Sequence, residues 1–113
     1  MLNHGIAHLD PSYRGVGAFT DRYIFPDADP VHLSRILLAL ERAGLVIEHV
    51  EEFGPDYAET LRHWITRLDQ NHDEAVRIAG EERVRVWKLY LRGAKKAFET
   101  RFDSVYQVKA VRR

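Results

Sequence analysis

Apolar spacing divides the chain into short strands and longer helices. Leu2 and Ile6 are apolar and Gly5 interrupts them, so Met1 to His8 reads as the end of a strand running into a loop. Asp10 to Gly17 carries Asp, Pro, Ser and two glycines, which is loop composition. Phe19, Tyr23, Ile24 and Phe25 crowd the segment Phe19 to Pro26, also read as loop, where an aromatic patch is expected to pack over core or ligand. Leu33, Ile36, Leu37 and Leu40 mark one face of a helix, with Asp29 expected as N-cap and Pro30 at the first helical position. Gly44 supplies a left-handed terminator, and Leu45 to Val50 reads as a strand.

The second half is richer in helix. Gly54-Pro55-Asp56 opens a helix with Asp56 expected as N-cap, and Tyr57, Leu61, Trp64, Ile65 and Leu68 share a face. Asn71 to Asp73 interrupt it. A longer helix follows, striped by Val84, Trp87, Leu91, Ala94 and Phe98 and modestly weakened by Gly80 and Gly93. Trp64 and Trp87 are expected to supply core packing area. Tyr106, Val108 and Ala110 alternate with Gln107 and Lys109, so Ser104 to Val111 reads as a half-buried strand, expected to be antiparallel at a sheet edge. Three strands with large connections leave outer edges without neighbours. The pattern is that of the closing portion of a larger α/β sheet.

Composition narrows the function classes. The 113 residues are 45% hydrophobic and 30% charged, which is globular and points to one domain or a piece of one. Seventeen basic residues balance seventeen acidic ones, so no global field would draw the chain to nucleic acid. Arg92 to Lys96 and Val111-Arg112-Arg113 are locally basic, and peripheral membrane contact is a minor expectation from them. There is no cysteine, hence no disulfide and no thiolate metal site. His4 and His8 stand four apart in a strand-and-loop segment, without the Glu of a His-Glu-x-x-His helix, so no metal site is expected. No apolar run is long enough to span a bilayer, so work on a lipid would proceed from the aqueous side.

Four segments carry a family resemblance. Leu2-Asn3-His4-Gly5-Ile6, Arg22-Tyr23-Ile24-Phe25-Pro26 and Phe53 through Tyr57-x-x-Thr60-Leu61-x-x-Trp64 come in order, followed by Trp87-x-x-Tyr90-Leu91 through Phe98 to Gln107-Val108. Together they resemble the C-terminal part of the cyclopropane-fatty-acyl-phospholipid synthases and mycolic acid cyclopropane synthases. The resemblance covers nearly the whole chain. It implies the C-terminal portion of a Rossmann-like, S-adenosylmethionine-dependent methyltransferase sheet over residues 1–113, in the order strand-helix-strand-helix-helix-strand. It also implies chemistry on the cis double bond of an unsaturated phospholipid acyl chain. Methyl transfer gives a carbocation, and proton loss, to a bound bicarbonate, closes the ring.

Site residues follow from the same resemblance. His4 matches a histidine that hydrogen-bonds the bicarbonate, Ile6 a residue offering it main-chain contact, and Tyr57 a tyrosine whose hydroxyl holds it. Preorganised donors of this kind suit an anion in a dry pocket. Phe25 and Leu61 match apolar positions near the acyl chain. The family's glutamate and cysteine partners for the anion, and its glycine-rich cofactor turn, have no counterpart among these residues. Asp27-Ala28-Asp29-Pro30 also departs from the family's usual continuation after Ile-Phe-Pro. A product with a methyl or methylene branch in place of a ring stays open, because methyltransferases of both kinds share these motifs.

The expectation is therefore an enzyme part, inactive alone, working in the cytoplasm and peripheral to the inner face of the membrane. The competing expectation is a non-catalytic remnant or interaction module that pairs with a separate N-terminal half or with a second copy of itself. Nucleic-acid binding is not expected.

Overall fold

The computed structural model describes residues 1–113. The order is β1 (Leu2–His8), α1 (Ala18–Tyr23), α2 (Leu33–Arg42), β2 (Leu45–Glu52), α3 (Gly54–Gln70), α4 (His72–Ala79), α5 (Glu81–Glu99) and β3 (Asp103–Arg112). The strands form one sheet in the order β1-β3-β2, with β3 antiparallel to both neighbours. The final strand is thus antiparallel, as the sequence predicts, but it lies at the centre of this sheet and not at its edge. Val105, Val108 and Ala110 are accordingly buried, because β3 is flanked on both sides.

Several expected boundaries move. Strand β1 runs through His8 instead of fraying into loop, since Ile6, Ala7 and His8 pair in register with Val105, Ser104 and Asp103. The aromatic segment expected as loop forms the short helix α1 over Ala18–Tyr23. Asp29 does not cap α2; it pairs with Arg14. His32 is the N-cap, its ring accepting from Ser34 N–H. Phe53, not Asp56, precedes α3, and Pro55 sits in its first turn. Gly80, at φ 88°, separates α4 from α5 rather than weakening a continuous helix. Gly44, at φ 86°, ends α2 as expected.

Helices α3 and α5 run antiparallel: Tyr57 meets Phe98 near one end, and Asp69 meets Lys88 and Arg92 towards the other. Leu61, Leu91 and Phe98 interlock with Val105 of β3 as the main core cluster, and Trp87 packs against it half-buried. Trp64 is 44% exposed, on the outer side of the stripe, so it is not the core residue its spacing suggested. Helix α2 lies against β2. The radius of gyration is 16.3 Å. A compact domain of this length would have roughly 13 Å. The molecule is long and thinly covered, with Leu2, Val46 and Val50 exposed on the two outer strands. No helix is long and apolar enough to cross a membrane.

Candidate functional site

Two of the side chains that the resemblance implies for an anion meet across the sheet–helix boundary. His4 comes from β1 and Tyr57 from the first turn of α3, and their ring centroids are 6.1 Å apart. Tyr57 is held from behind by Phe98, at 5.7 Å between centroids. The start of α3 is anchored to β3. Phe53 N–H donates to Val105 C=O at 2.7 Å, and Tyr57 N–H donates to Phe53 C=O at 3.0 Å. The Glu52 carboxylate accepts from the Ser104 hydroxyl, from Gly54 N–H at 3.0 Å and from Arg101 at 2.6 Å. Donation from Ser104 is the main reason the Glu52 pKa is lowered, with Gly54 and Arg101 adding to it against a smaller effect of burial. A Cβ on Gly54 would overlap both Glu52 Oε1 and Ser104 Oγ, so this close approach requires glycine.

The backbone of β1 presents a second contact. Met1 exchanges both main-chain bonds with Ala110, donating at 2.8 Å and accepting at 2.9 Å. Antiparallel pairing alternates bonded and non-bonded positions, so the odd-numbered residues of β1 bond β3. The even ones, His4 and Ile6 included, turn N–H and C=O to the open side; His8 N–H there donates to Val31 C=O at 3.1 Å. An imidazole, a phenol and a free stretch of main chain fit a small oxyanion. No cysteine is available to join them. None of the seven glycines sits in a glycine-rich turn of the kind that cradles a phosphate or a cofactor.

Beside this corner lies an apolar cavity of about 420 Å³. That size falls in the range of small-molecule pockets, roughly 300–1,000 Å³. Ile6 forms part of its floor, α5 contributes Leu89, Tyr90, Ala94 and Phe98, and the segment between β1 and α2 supplies Val16, Phe19 and Phe25 as its outer wall. Phe25 stacks edge-on against Trp87 and Tyr90, at 6.1 and 5.7 Å. Leu61 does not reach the cavity. It is 3% exposed within the core, because its position on α3 faces Leu91 and Val105.

One cavity feature escaped the sequence reading. His8 is 3% exposed at the wall, with Nδ1 against the Asp103 carboxylate and Nε2 donating to Gly15 C=O at 2.6 Å. The available signal was period-two spacing: once β1 extends through residue 8, His4, Ile6 and His8 share one face.

The family described as mycolic acid cyclopropane synthetase matches residues 1–108. A "probable fatty acid methyltransferase" of Pseudomonas putida is 40% identical over 99% of this chain and 29% of its own length. A protein of the same description from Mycobacterium tuberculosis is 37% identical over 99% of this chain and 26% of its own. The chain therefore spans between a quarter and a third of these curated relatives. Among solved structures, the mycolic acid cyclopropane synthase CmaA1 complexed with SAH and CTAB superimposes with a TM-score of 0.88 at 25% identity, over 97% of this chain and 43% of that one. The cyclopropane synthase MmaA2 from Mycobacterium tuberculosis gives 0.87 at 24% identity, over 96% and 42%. The α/β methyltransferase fold expected from the sequence is the fold observed.

Proposed function

The chain belongs to the mycolic acid cyclopropane synthetase family, and from that premise we propose that it forms the C-terminal part of an S-adenosylmethionine-dependent methyltransferase domain acting on unsaturated lipid acyl chains. The reading extends to a phospholipid acyl chain as substrate, a bicarbonate held at His4, Ile6 and Tyr57, and work at the cytoplasmic face of the membrane. On this reading most of the residues that would hold S-adenosylmethionine lie outside this chain, and the isolated chain would be inactive.

The observation that carries this reading is the placement of the His4–Tyr57 corner beside an apolar cavity on the same strand. Ile6 lies between them on the strand, with its side chain in the cavity and its main chain turned to the open edge of β1. Bicarbonate, when bound, would supply a base for the proton lost on ring closure. The Tyr57 hydroxyl and the His4 ring would fix it by hydrogen bonds prepared before reaction, which avoids reorganisation during it. Ile6, Phe19 and Phe25 would hold the alkyl chain and exclude water. The aromatic faces around the cavity suit a transient cation. Leu61 enters this scheme only as packing behind α3.

The test is reconstitution. Calorimetry with S-adenosylmethionine, on this chain alone and on the chain supplied with the N-terminal part of a relative, would be followed by methyl transfer into unsaturated phospholipid. Binding and transfer are expected only in the assembled protein, and Tyr57→Phe or His4→Ala should slow transfer about 10²- to 10³-fold while leaving cofactor binding intact. An assembled protein that binds cofactor but transfers nothing would favour the interaction-module reading, for which the open edge of β1 is the supporting feature.

A further inference from the structure

The His8 ring faces two acceptors. The Gly15 carbonyl can only accept, so Nε2 must carry hydrogen. Nδ1 meets the Asp103 carboxyl, so either Nδ1 also carries hydrogen and the ring is an imidazolium, or the carboxyl is protonated and donates to Nδ1. In both forms the pair holds one proton more than a neutral imidazole beside a carboxylate. Remove that proton, and a single N–H must choose between two acceptors.

The two acceptors sit on different parts of the cavity. Asp103 begins β3, in the rigid sheet. Gly15 belongs to the loop between β1 and α1, where Tyr13, Gly15, Val16 and Gly17 form one wall of the cavity. That loop is otherwise tied by Gly15 N–H to Pro30 C=O at 3.0 Å and by the exposed Arg14–Asp29 pair. Tyr13 packs edge-on to His8 at 4.8 Å and to Phe102 at 4.9 Å. We propose that His8 and Asp103 form a proton-operated latch, which holds this loop closed over the apolar cavity while the shared proton is present and loosens it when the proton leaves.

The surroundings favour keeping that proton. Burial pushes the Asp103 carboxyl above its ordinary range, against a smaller opposing pull from His8. The other titratable groups facing the pair are phenols: Tyr13 from the loop and Tyr90 from α5, the latter raised by burial and then by Asp103. Neighbouring His32 directs its ring at Ser34 instead. No cation besides His8 faces the carboxyl. A carboxyl whose folded pKa is raised contributes stability at lower pH and loses it as pH rises through that folded value. The latch therefore opens with rising pH.

The idea rests on the acyl-cavity reading only for what enters, and the test separates the two. Amide hydrogen exchange at Gly15, Val16 and Gly17 and binding of methyl cis-parinarate, an uncharged fluorescent acyl probe, would be followed in the full chain from about pH 5 to about pH 8, where imidazoles ordinarily titrate. In the unaltered chain, exchange corrected for intrinsic rate should accelerate about tenfold or more with rising pH, the loss expected for one charge-assisted hydrogen bond. Asp103→Asn is the decisive variant. Its amide can donate to Nδ1 while Nε2–H still donates to Gly15, so both bonds survive without the extra proton. Exchange in that variant should be slow and pH-independent, and His8→Phe should be fast at every pH. Should His8→Phe fail to fold, Asp103→Asn decides alone. Unchanged pH dependence in Asp103→Asn, or none in the unaltered chain, would overturn the latch. Exchange as expected with no probe bound would support the latch and count against the acyl reading.

Discussion

His4 and His8 lie four residues apart on one face of the same strand, yet they have opposite fates. His4 is exposed at the open side of β1, with Tyr57 as its neighbour. His8 is enclosed, and both ring nitrogens are engaged. The difference lies in what covers each end of the strand. At the His8 end, the β1–α2 connection folds back and pairs with the strand, through His8 N–H to Val31 C=O at 3.1 Å. At the His4 end nothing in this chain returns. One histidine is therefore a finished piece of structure, and the other is left open beside Tyr57.

That contrast can be broken in measurable ways. The largest effect should come from Tyr57→Phe or His4→Ala in a protein completed by a cofactor-binding part: about 10²- to 10³-fold lower kcat, as for loss of one prepared oxyanion donor. The thermal midpoint of the chain should barely move. The reverse split is expected for Leu61→Ala, which opens a core cavity and should cost about 2–5 kcal/mol in denaturant unfolding. Phe25→Ala, on the exposed rim, should cost far less stability but weaken binding of an acyl probe.

Gly54→Ala sits between these extremes. The added methyl must displace Glu52 or Ser104, at about 1–3 kcal/mol, and it should disturb Tyr57 geometry through the start of α3. A smaller, pH-resolved effect belongs to Glu52 itself. Its folded pKa is depressed, so its contribution is present above the ordinary carboxylate value and is lost as pH falls through the folded one. Glu52→Gln should flatten the acid side of the stability profile, measured by urea unfolding from about pH 5 downward. The His8–Asp103 pair acts with the opposite sign, losing its hold as pH rises. The two carboxyls can thus be told apart by whether stability is lost as pH falls, for Glu52, or as pH rises, for Asp103.

Much of the fold was legible because it depends on local periodicity. The Val84–Leu91–Phe98 repeat could bury only one face, and all three are buried. Gly44 followed by Leu45-Val46-Ile47 could only end a helix and start a strand. What failed were positions where partners compete. Asp29 has good N-cap chemistry, but Arg14 claims it and His32 takes the cap instead. Trp64 lies near the apolar face of α3 by spacing, but it is left outside where α3 packs on α5. Residues 18–23 hold too few apolar positions at helical spacing to distinguish a six-residue helix from a loop.

For the candidate site, the sequence alone determined the residue types, their order and the family they belong to, because short motifs retain the chemistry they serve. It also separated strand from helix wherever one face had to be buried. Only the tertiary structure decided that β3 lies between β1 and β2, that Tyr57 meets His4, that Leu61 is core and Phe25 is wall, and that Asp103 reaches back to His8. Those pairings join residues from about 30 to about 100 positions apart, and local propensity carries no information about contacts at such separations. Burial then changed what the same side chain could do: an exposed imidazole remains available to a ligand, whereas an enclosed one is committed to its two acceptors.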